Sequence, residues 1–178
     1  PDQLRLLELG CGTGGNFLTW LRLGLAPANL AGNELQSSLA TIARNTLPEA
    51  IRVTDGDALD LDPGSEAFHV VFQSLVFSSI LDAEFQQALA TRMSHLARPG
   101  GGVLWYDFIY DNPANPDVRG VPLARVRQLF PRARLRHWRV TLAPPISRRV
   151  TRLHPACYTI CNALPPLRTH VLCWLQKP

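Results

Sequence analysis

The sequence predicts an α/β fold: a doubly wound, mostly parallel sheet with helices on both faces. Three observations predict it. Short apolar runs alternate with helix-period segments about every 15 residues, the signature of successive strand–helix–strand units. The run FHVVFQ at 68–73 has no polar alternation, as expected of a strand buried on both faces. A glycine cluster, GCGTGG at 10–15, stands directly between the first apolar run and the first helical segment. The 178 residues fit a single domain, which at this size buries roughly 70% of its unfolded surface without staples.

The elements follow in order. Residues 4–9 form the first strand, and 16–23 a helix. Residues 30–34 are a short strand ending in Asn33-Glu34. Residues 35–47 are helical, with Leu35, Leu39, Ile42, Ala43 and Leu47 near helical spacing and Pro48 as the stop. Strands follow at 51–54 and 68–73. Residues 82–96 are a helix with Asp82 as its N-cap. Residues 99–102 are a turn, 103–107 a strand, and 112–120 a Pro/Asn-rich loop. A short helix at 121–130, a strand at 135–142, helical material at 144–164 between two proline pairs, and a last strand at 169–175 complete the chain. Ligands in such sheets bind at the C-terminal strand ends where strand order reverses, so the loops after the first five strands carry the function.

Composition narrows the class. Hydrophobic residues make up 46% and charged residues 18%, which excludes intrinsic disorder, collagen and coiled coil. The longest apolar stretch, 69–81, is interrupted by Gln73, Ser74, Ser78 and Ser79, so no membrane-spanning helix is expected. No basic-then-apolar leader is visible. The chain opens Pro-Asp-Gln-Leu-Arg, and its one methionine is Met93; a preceding segment is expected. Four cysteines suggest no disulfide framework, and a reducing cytoplasm is the expected compartment. The net charge of +4 hides an asymmetry: residues 119–178 hold 12 Lys+Arg and no acid. Such a basic third suits nucleic acid, anionic lipid or a phosphorylated substrate, or else arginine stems covering apolar surface.

The glycine loop admits two cofactors. Gly10, Gly12 and Gly15 satisfy the dinucleotide pattern G-x-G-x-x-G, and Glu8, Gly10, Gly12 and Gly14 satisfy E-x-G-x-G-x-G. The remaining pieces are AGNELQ at 31–36, DGDALDL at 55–61 and LARPGGGVL at 96–104. Together with LLELGCGTGG at 6–15, they make the sequence similar to the class I S-adenosylmethionine-dependent methyltransferases over roughly its first 110 residues.

That resemblance implies a Rossmann-like, seven-stranded sheet with an antiparallel last strand, filled by one methyltransferase domain over 1–178. It implies a lid segment before the first strand; the residues at 144–168 read as a helical insert before the last one. It implies S-adenosyl-L-methionine as cofactor. Gly10, Cys11, Gly12 and Gly14 would lie along its amino acid moiety, and Glu8 would meet the ammonium directly or through water. Glu34 would accept both ribose hydroxyls, or else cap the following helix. Leu35 would pack on the adenine. Asp57 and Ala58 would read the adenine edge, although Asp-Gly-Asp is also good turn chemistry. Gln73 and Ser74 would meet the methionine part.

The acceptor side is less specified. Tyr106, Asp107 and Arg119 are the candidates for chemistry, the last as a bidentate clamp on an anionic group. No Asn/Asp-Pro-Pro-Tyr/Phe follows the fourth strand, where the chain reads Gln73-Ser74-Leu75-Val76-Phe77, so nucleic acid is the less favoured acceptor. The hydroxyl-rich apolar stretch 73–82 suits a small-molecule, sugar or lipid-linked acceptor. His154, Cys157 and Cys161 stand at helical spacing but lack a fourth ligand, so no metal is expected. The other readings are a nicotinamide-dependent oxidoreductase and a non-catalytic cofactor-binding module.

Overall fold

A computed structural model describes residues 3–62, 67–111 and 115–178. Among these, seven strands form one sheet: β1 (Leu6–Leu9), β2 (Leu30–Glu34), β3 (Arg52–Asp55), β4 (Phe68–Ser74), β5 (Ala97–Phe108), β6 (Arg134–Leu142) and β7 (Arg168–Gln176). The helices are α1 (Phe17–Arg22), α2 (Ser37–Thr46), α3 (Ala83–Leu96), α4 (Leu123–Leu129), α5 (Pro144–Leu153) and α6 (Pro155–Asn162). The strand order is β3-β2-β1-β4-β5-β7-β6. The first five strands pair in parallel, and β7 runs antiparallel to both β5 and β6. The expected mostly parallel sheet with an antiparallel last strand is therefore present. Its order departs from the 3-2-1-4-5-6 of dinucleotide-binding sheets, because β7 is inserted between β5 and β6. Strand order reverses between β1 and β4, which opens a crevice at their C-terminal ends.

Period-two alternation sends side chains to two cores. On one face, Leu6, Leu30, Val53 and Phe72 pack with Phe17 of α1 and Ala40 and Ala43 of α2. On the other, Leu7, Leu9, Val71 and Trp105 pack with Leu89 and Met93 of α3 and Val126 and Leu129 of α4. Trp105 is fully buried, with its ring centroid 4.3 Å from Phe77 and 6.0 Å from Phe130. Gly32 lets α1 sit directly on β2: a Cβ there would stand 2.9 Å from Cys11 Sγ and 3.1 Å from the Phe17 ring.

Three departures from the sequence expectation have a local physical cause. Helix α2 starts at Ser37, because Gln36 is extended (φ −87°, ψ 109°) and its N–H is held by Glu34. The 144–164 segment is two helices broken at His154, which is extended before Pro155 and accepts the Ala156 N–H at Nδ1. The expected turn at 99–102 lies inside β5: Ala97 pairs with Phe68 and Gly102 with Val70, so the residues between form a bulge. Backbone approach explains glycine there, since a Cβ on Gly102 would come 2.4 Å from the Leu175 carbonyl oxygen. No helix links β3 to β4 among the described residues. Of the loop read at 112–120, residues 112–114 lie outside the described residues.

Asp82 caps α3, accepting from the N–H groups of Glu84 and Phe85 at 2.7 and 3.0 Å. Asp82→Ala is expected to lower stability by about 1 kcal/mol, or roughly 2–4 °C in Tm, in a thermal melt. An unchanged Tm would show the cap to be energetically idle.

Candidate active site

Strand β1 delivers the glycine loop to the crevice. Gly10 and Gly12 adopt φ of +67° and +55°, which a side chain would strain. The N–H groups of Gly10 and Cys11 both donate to the Asn33 carbonyl, at 2.8 and 3.1 Å. A Cβ on Gly10 would come 2.4 Å from Val76 Cγ2, whereas one on Gly12 would meet nothing within 4 Å. Gly12 therefore faces open space. Gly14 also has positive φ and lies against Leu47. Cys11 is buried beside the loop, where burial and the neighbouring Glu8 and Glu34 push its thiol up to about 12. It is a packed thiol, not a nucleophile.

Glu34 is buried and engages both loops at the crevice. Its Oε2 accepts the Gly12 N–H at 2.8 Å and its Oε1 accepts the Gln36 N–H at 3.0 Å. The carboxylate thus ties the loop after β1 to the loop after β2 and leads into α2. Beside it, Leu35 is 69% exposed.

Glu8 lies beneath the loop with no solvent exposure. Its Oε1 accepts from Asn16 Nδ2 at 2.7 Å, while its Oε2 has no hydrogen-bond partner among the described residues. Burial pushes its carboxyl up to about 7; the Asn16 donor pulls the value back, as does the indole N–H of Trp20, which is near but forms no hydrogen bond of ordinary geometry.

After β3, Asp57 Oδ1 accepts the Leu59 N–H at 2.9 Å. The turn role is therefore real, and it leaves the second oxygen of Asp57 for other contacts. Ala58 is half-buried against the core. A cavity of about 810 Å³ runs along the sheet face by β2 and β3, past Asn33, Thr54, Asp57 and Leu61, and does not reach the glycine loop. The glycine loop, with its strained backbone and its buried carboxyls, locates the site better than cavity size does.

At the end of β4, Gln73 pairs in register with Leu9 and is fully buried. Its Oε1 accepts the Val76 N–H at 3.0 Å, and its Nε2 donates to the Tyr106 carbonyl at 3.3 Å. Ser74 is half-buried and pairs with Tyr106. Leu75 then takes φ +62°, a sparsely populated conformation for a non-glycine residue. The resulting turn brings Val76 onto Gly10.

The acceptor candidates separate. Tyr106 is half-buried, two strands or roughly 10 Å from the glycine loop. Its hydroxyl lies 2.9 Å from Thr141 Oγ1, and its ring stacks on His170 at 5.2 Å between centroids. Burial raises its pKa, with Tyr158 and Asp107 adding to the rise. Asp107 is fully buried; it accepts the Ser78 N–H at 3.2 Å and its neighbour's, Phe108, at 2.9 Å. Burial pushes its carboxyl up to about 6. Arg119 is exposed, and its backbone N–H donates to the Ser78 carbonyl at 2.8 Å. Reasoning from sequence missed Thr141, Tyr158 and His170 around Tyr106, and Asn16 against Glu8. Only Asn16 had a local signal, as a donor one turn past an acid-bearing strand.

The family described as a methyltransferase domain matches residues 6–101, more than half of the chain. The chain belongs to that family. It is 32% identical over 105 residues to an uncharacterized methyltransferase of Bacillus cytotoxicus, covering 59% of this chain and 47% of that protein. It thus spans about half the length of the curated relatives it matches. An S-adenosylmethionine-dependent methyltransferase of Methanosarcina mazei superposes with TM-score 0.72 at 13% identity, over 99% of this chain and 93% of that one. A methyltransferase solved in complex with the Haloferax volcanii Trm112 activator gives TM-score 0.71 at 14% identity, over 99% and 84%. These likenesses confirm the class I methyltransferase fold. In this methyltransferase domain, the matched stretch carries the glycine loop, Glu34, Asp57 and Gln73; Tyr106, Asp107 and Arg119 lie beyond it. No helix among the described residues is long and apolar enough to cross a membrane, and none of their His, Cys, Asp and Glu side chains form a metal-holding group.

The two raised carboxyls set a pH dependence. Folding lifts Glu8 from 4.5 to about 7 and Asp107 from 3.8 to about 6. The folded state therefore holds protons that the unfolded chain has released. This contribution to stability is full below about pH 4 and is lost as pH rises through about 6–7. Glu8→Gln keeps the oxygen that accepts from Asn16 and abolishes the charge. It is expected to match the parent in stability near pH 4 and to exceed it at pH 8, by up to roughly 3 kcal/mol, read as a higher Tm. Superimposable Tm–pH profiles would remove Glu8 from this role.

Proposed function

We propose that this domain binds S-adenosylmethionine across the C-terminal ends of β1 to β4 and transfers its methyl group to a small-molecule, sugar or lipid-linked acceptor. The Glu34 bridge carries the reading: a buried carboxylate joins the N–H of Gly12 to that of Gln36, beside open space above the loop. A carboxylate oxygen holds more than one lone-pair site, so Glu34 can keep these bonds and still accept ribose hydroxyls. Glu8 Oε2, buried and without a described partner, matches the cofactor's ammonium. Gly10, Cys11, Gly12 and Gly14 offer backbone to the amino acid moiety. Leu35 offers apolar surface to the adenine, Asp57 and Ala58 its edge contacts, and Gln73 and Ser74 the floor at the methionine end.

The cofactor supplies an already activated methyl group, so the protein's work is alignment and exclusion of water. Asp107 acts as a positioning residue, since both its oxygens hold backbone N–H groups at the ends of β4 and β5. Burial lowers the pKa of His170, so it stays a neutral stacking partner for Tyr106. The Tyr106 hydroxyl, with Thr141 beside it, is the group of this set best suited to orient an acceptor. Arg119 is exposed for an anionic acceptor group. The reading takes residues 1–178 as one domain with 144–168 as an insert over the acceptor side, and the free cysteines Cys11, Cys157, Cys161 and Cys173 support a cytoplasmic setting. The sheet order speaks against the nicotinamide reading, because dinucleotide sheets lack the inserted antiparallel β7.

Calorimetry tests the proposal. The chain is expected to bind S-adenosylmethionine and S-adenosylhomocysteine, and to ignore NAD. Glu34→Ala is expected to weaken binding at least about tenfold, the scale of one lost charge-assisted hydrogen bond. Binding of NAD alone would overturn the proposal, and binding of the sulfonium without turnover on any acceptor would favour a non-catalytic module.

A further inference from the structure

The α5–α6 hairpin between β6 and β7 is an anomaly for a water-facing surface. Neither helix has a fully buried residue. Helix α5 turns Ile146 and Val150 inward and leaves Arg148, Arg149 and Arg152 exposed. Helix α6 turns Cys157, Tyr158 and Cys161 inward and exposes Ala156, Ile160 and Ala163, an apolar outer stripe at helical spacing. Residues 153–167 contain no Lys, Arg, Asp or Glu at all. Leu153 is 82% exposed, Ile160 68% and Leu164 54%. The hairpin is nonetheless pinned at its base, where Arg168 donates to the Asn162 carbonyl at 2.6 Å and to the Arg139 carbonyl at 3.0 Å. It projects from the C-terminal end of β6. Through antiparallel β7, β6 runs parallel to β5, so the hairpin stands on the same sheet edge as the glycine loop.

We infer that this hairpin docks on an anionic lipid surface. Exposed arginines beside protruding aliphatic side chains, Leu153, Ile160 and Leu164, combine the two contacts that hold a segment at an anionic bilayer interface. The arginines meet lipid phosphates, and Leu153, Ile160 and Leu164 enter the acyl boundary. No acid anywhere in residues 119–178 opposes that contact. An RNA backbone would match the arginines but leave the aliphatic stripe in water, and a like copy would bring the same arginines face to face. The inference rests on the hairpin's own chemistry and stands whether or not the domain transfers methyl groups.

Co-flotation of the full chain with vesicles tests it. The chain is expected to float with vesicles of phosphatidylcholine and phosphatidylglycerol, less so as salt rises, and not with phosphatidylcholine alone. At about fivefold per basic residue near such a surface, Arg148→Ser/Arg149→Ser/Arg152→Ser should lower the partition coefficient roughly a hundredfold. Ile160→Ser/Leu164→Ser should lower it about tenfold. Both variants should keep the parent's Tm and its calorimetric cofactor binding, which separates lost docking from lost folding. No preference for the anionic vesicles would overturn the inference. So would an unchanged Ile160→Ser/Leu164→Ser variant whose vesicle binding is competed away by single-stranded RNA, which would mark a nucleic-acid face. A dimer that this variant dissolves, in a chain that ignores vesicles, would mark an interface between copies.

Discussion

Both oxygens of the Glu34 carboxylate accept from backbone N–H groups, one on each of the loops that frame the crevice. The rest of the site hangs on that bridge. It holds Gly12 in a conformation that leaves the space above it open. It keeps Gln36 extended, so that α2 begins at Ser37 and not at Leu35. It thereby leaves Leu35 out in solvent at the mouth of the crevice. Hydrogen bonds to a charged group contribute about 1.5–3 kcal/mol each, comparable to the cost of holding a loop in strained backbone. The bridge is thus large enough to keep the two loops in register before any ligand arrives.

Glu8 and Glu34 show how environment divides two nearby acids of one type. Glu34 finds two backbone donors. Glu8 finds Asn16 for one oxygen and no described hydrogen-bond partner for the other, and its carboxyl rises to about 7. Burial favours the protonated form of such a group. A cation seated above the loop would reverse this, because opposite charge lowers a carboxyl's pKa. A positively charged ligand at that position would offset the cost of burying Glu8, and a neutral one would not.

Much of this was legible in the sequence, for identifiable reasons. The glycine loop, the acid at the end of β2 and the Asp-Ala after β3 are local patterns, and local geometry puts them at adjacent strand ends. Asp82 reads as a cap because capping reaches only three residues ahead. The partners of Tyr106 were not legible. Thr141, Tyr158 and His170 come from β6, α6 and β7, and only the insertion of β7 between β5 and β6 brings them there. Nothing in the spacing of those residues encodes strand order. The bulge inside β5 was misread for a related reason: Pro-Gly-Gly is turn chemistry locally, but the pairing of Gly102 with Val70 resumes the strand.

The chain divides along the same line. Residues 6–101 carry the family match and the loops that would hold a cofactor, and their acids outnumber their bases. The final third contributes the antiparallel strands, the aromatic and hydroxyl groups around Tyr106, and the arginine-rich hairpin, with 12 bases and no acid from 119 onward. Cofactor geometry is common to many acceptors and constrains backbone at a few fixed positions. Acceptor recognition constrains side chains, and a sheet offers them most freely on the strands and insert that the cofactor does not touch. The charge asymmetry runs along that division: the stretch that carries the family match is acidic, and the final third, which carries the insert and the antiparallel strands, is basic.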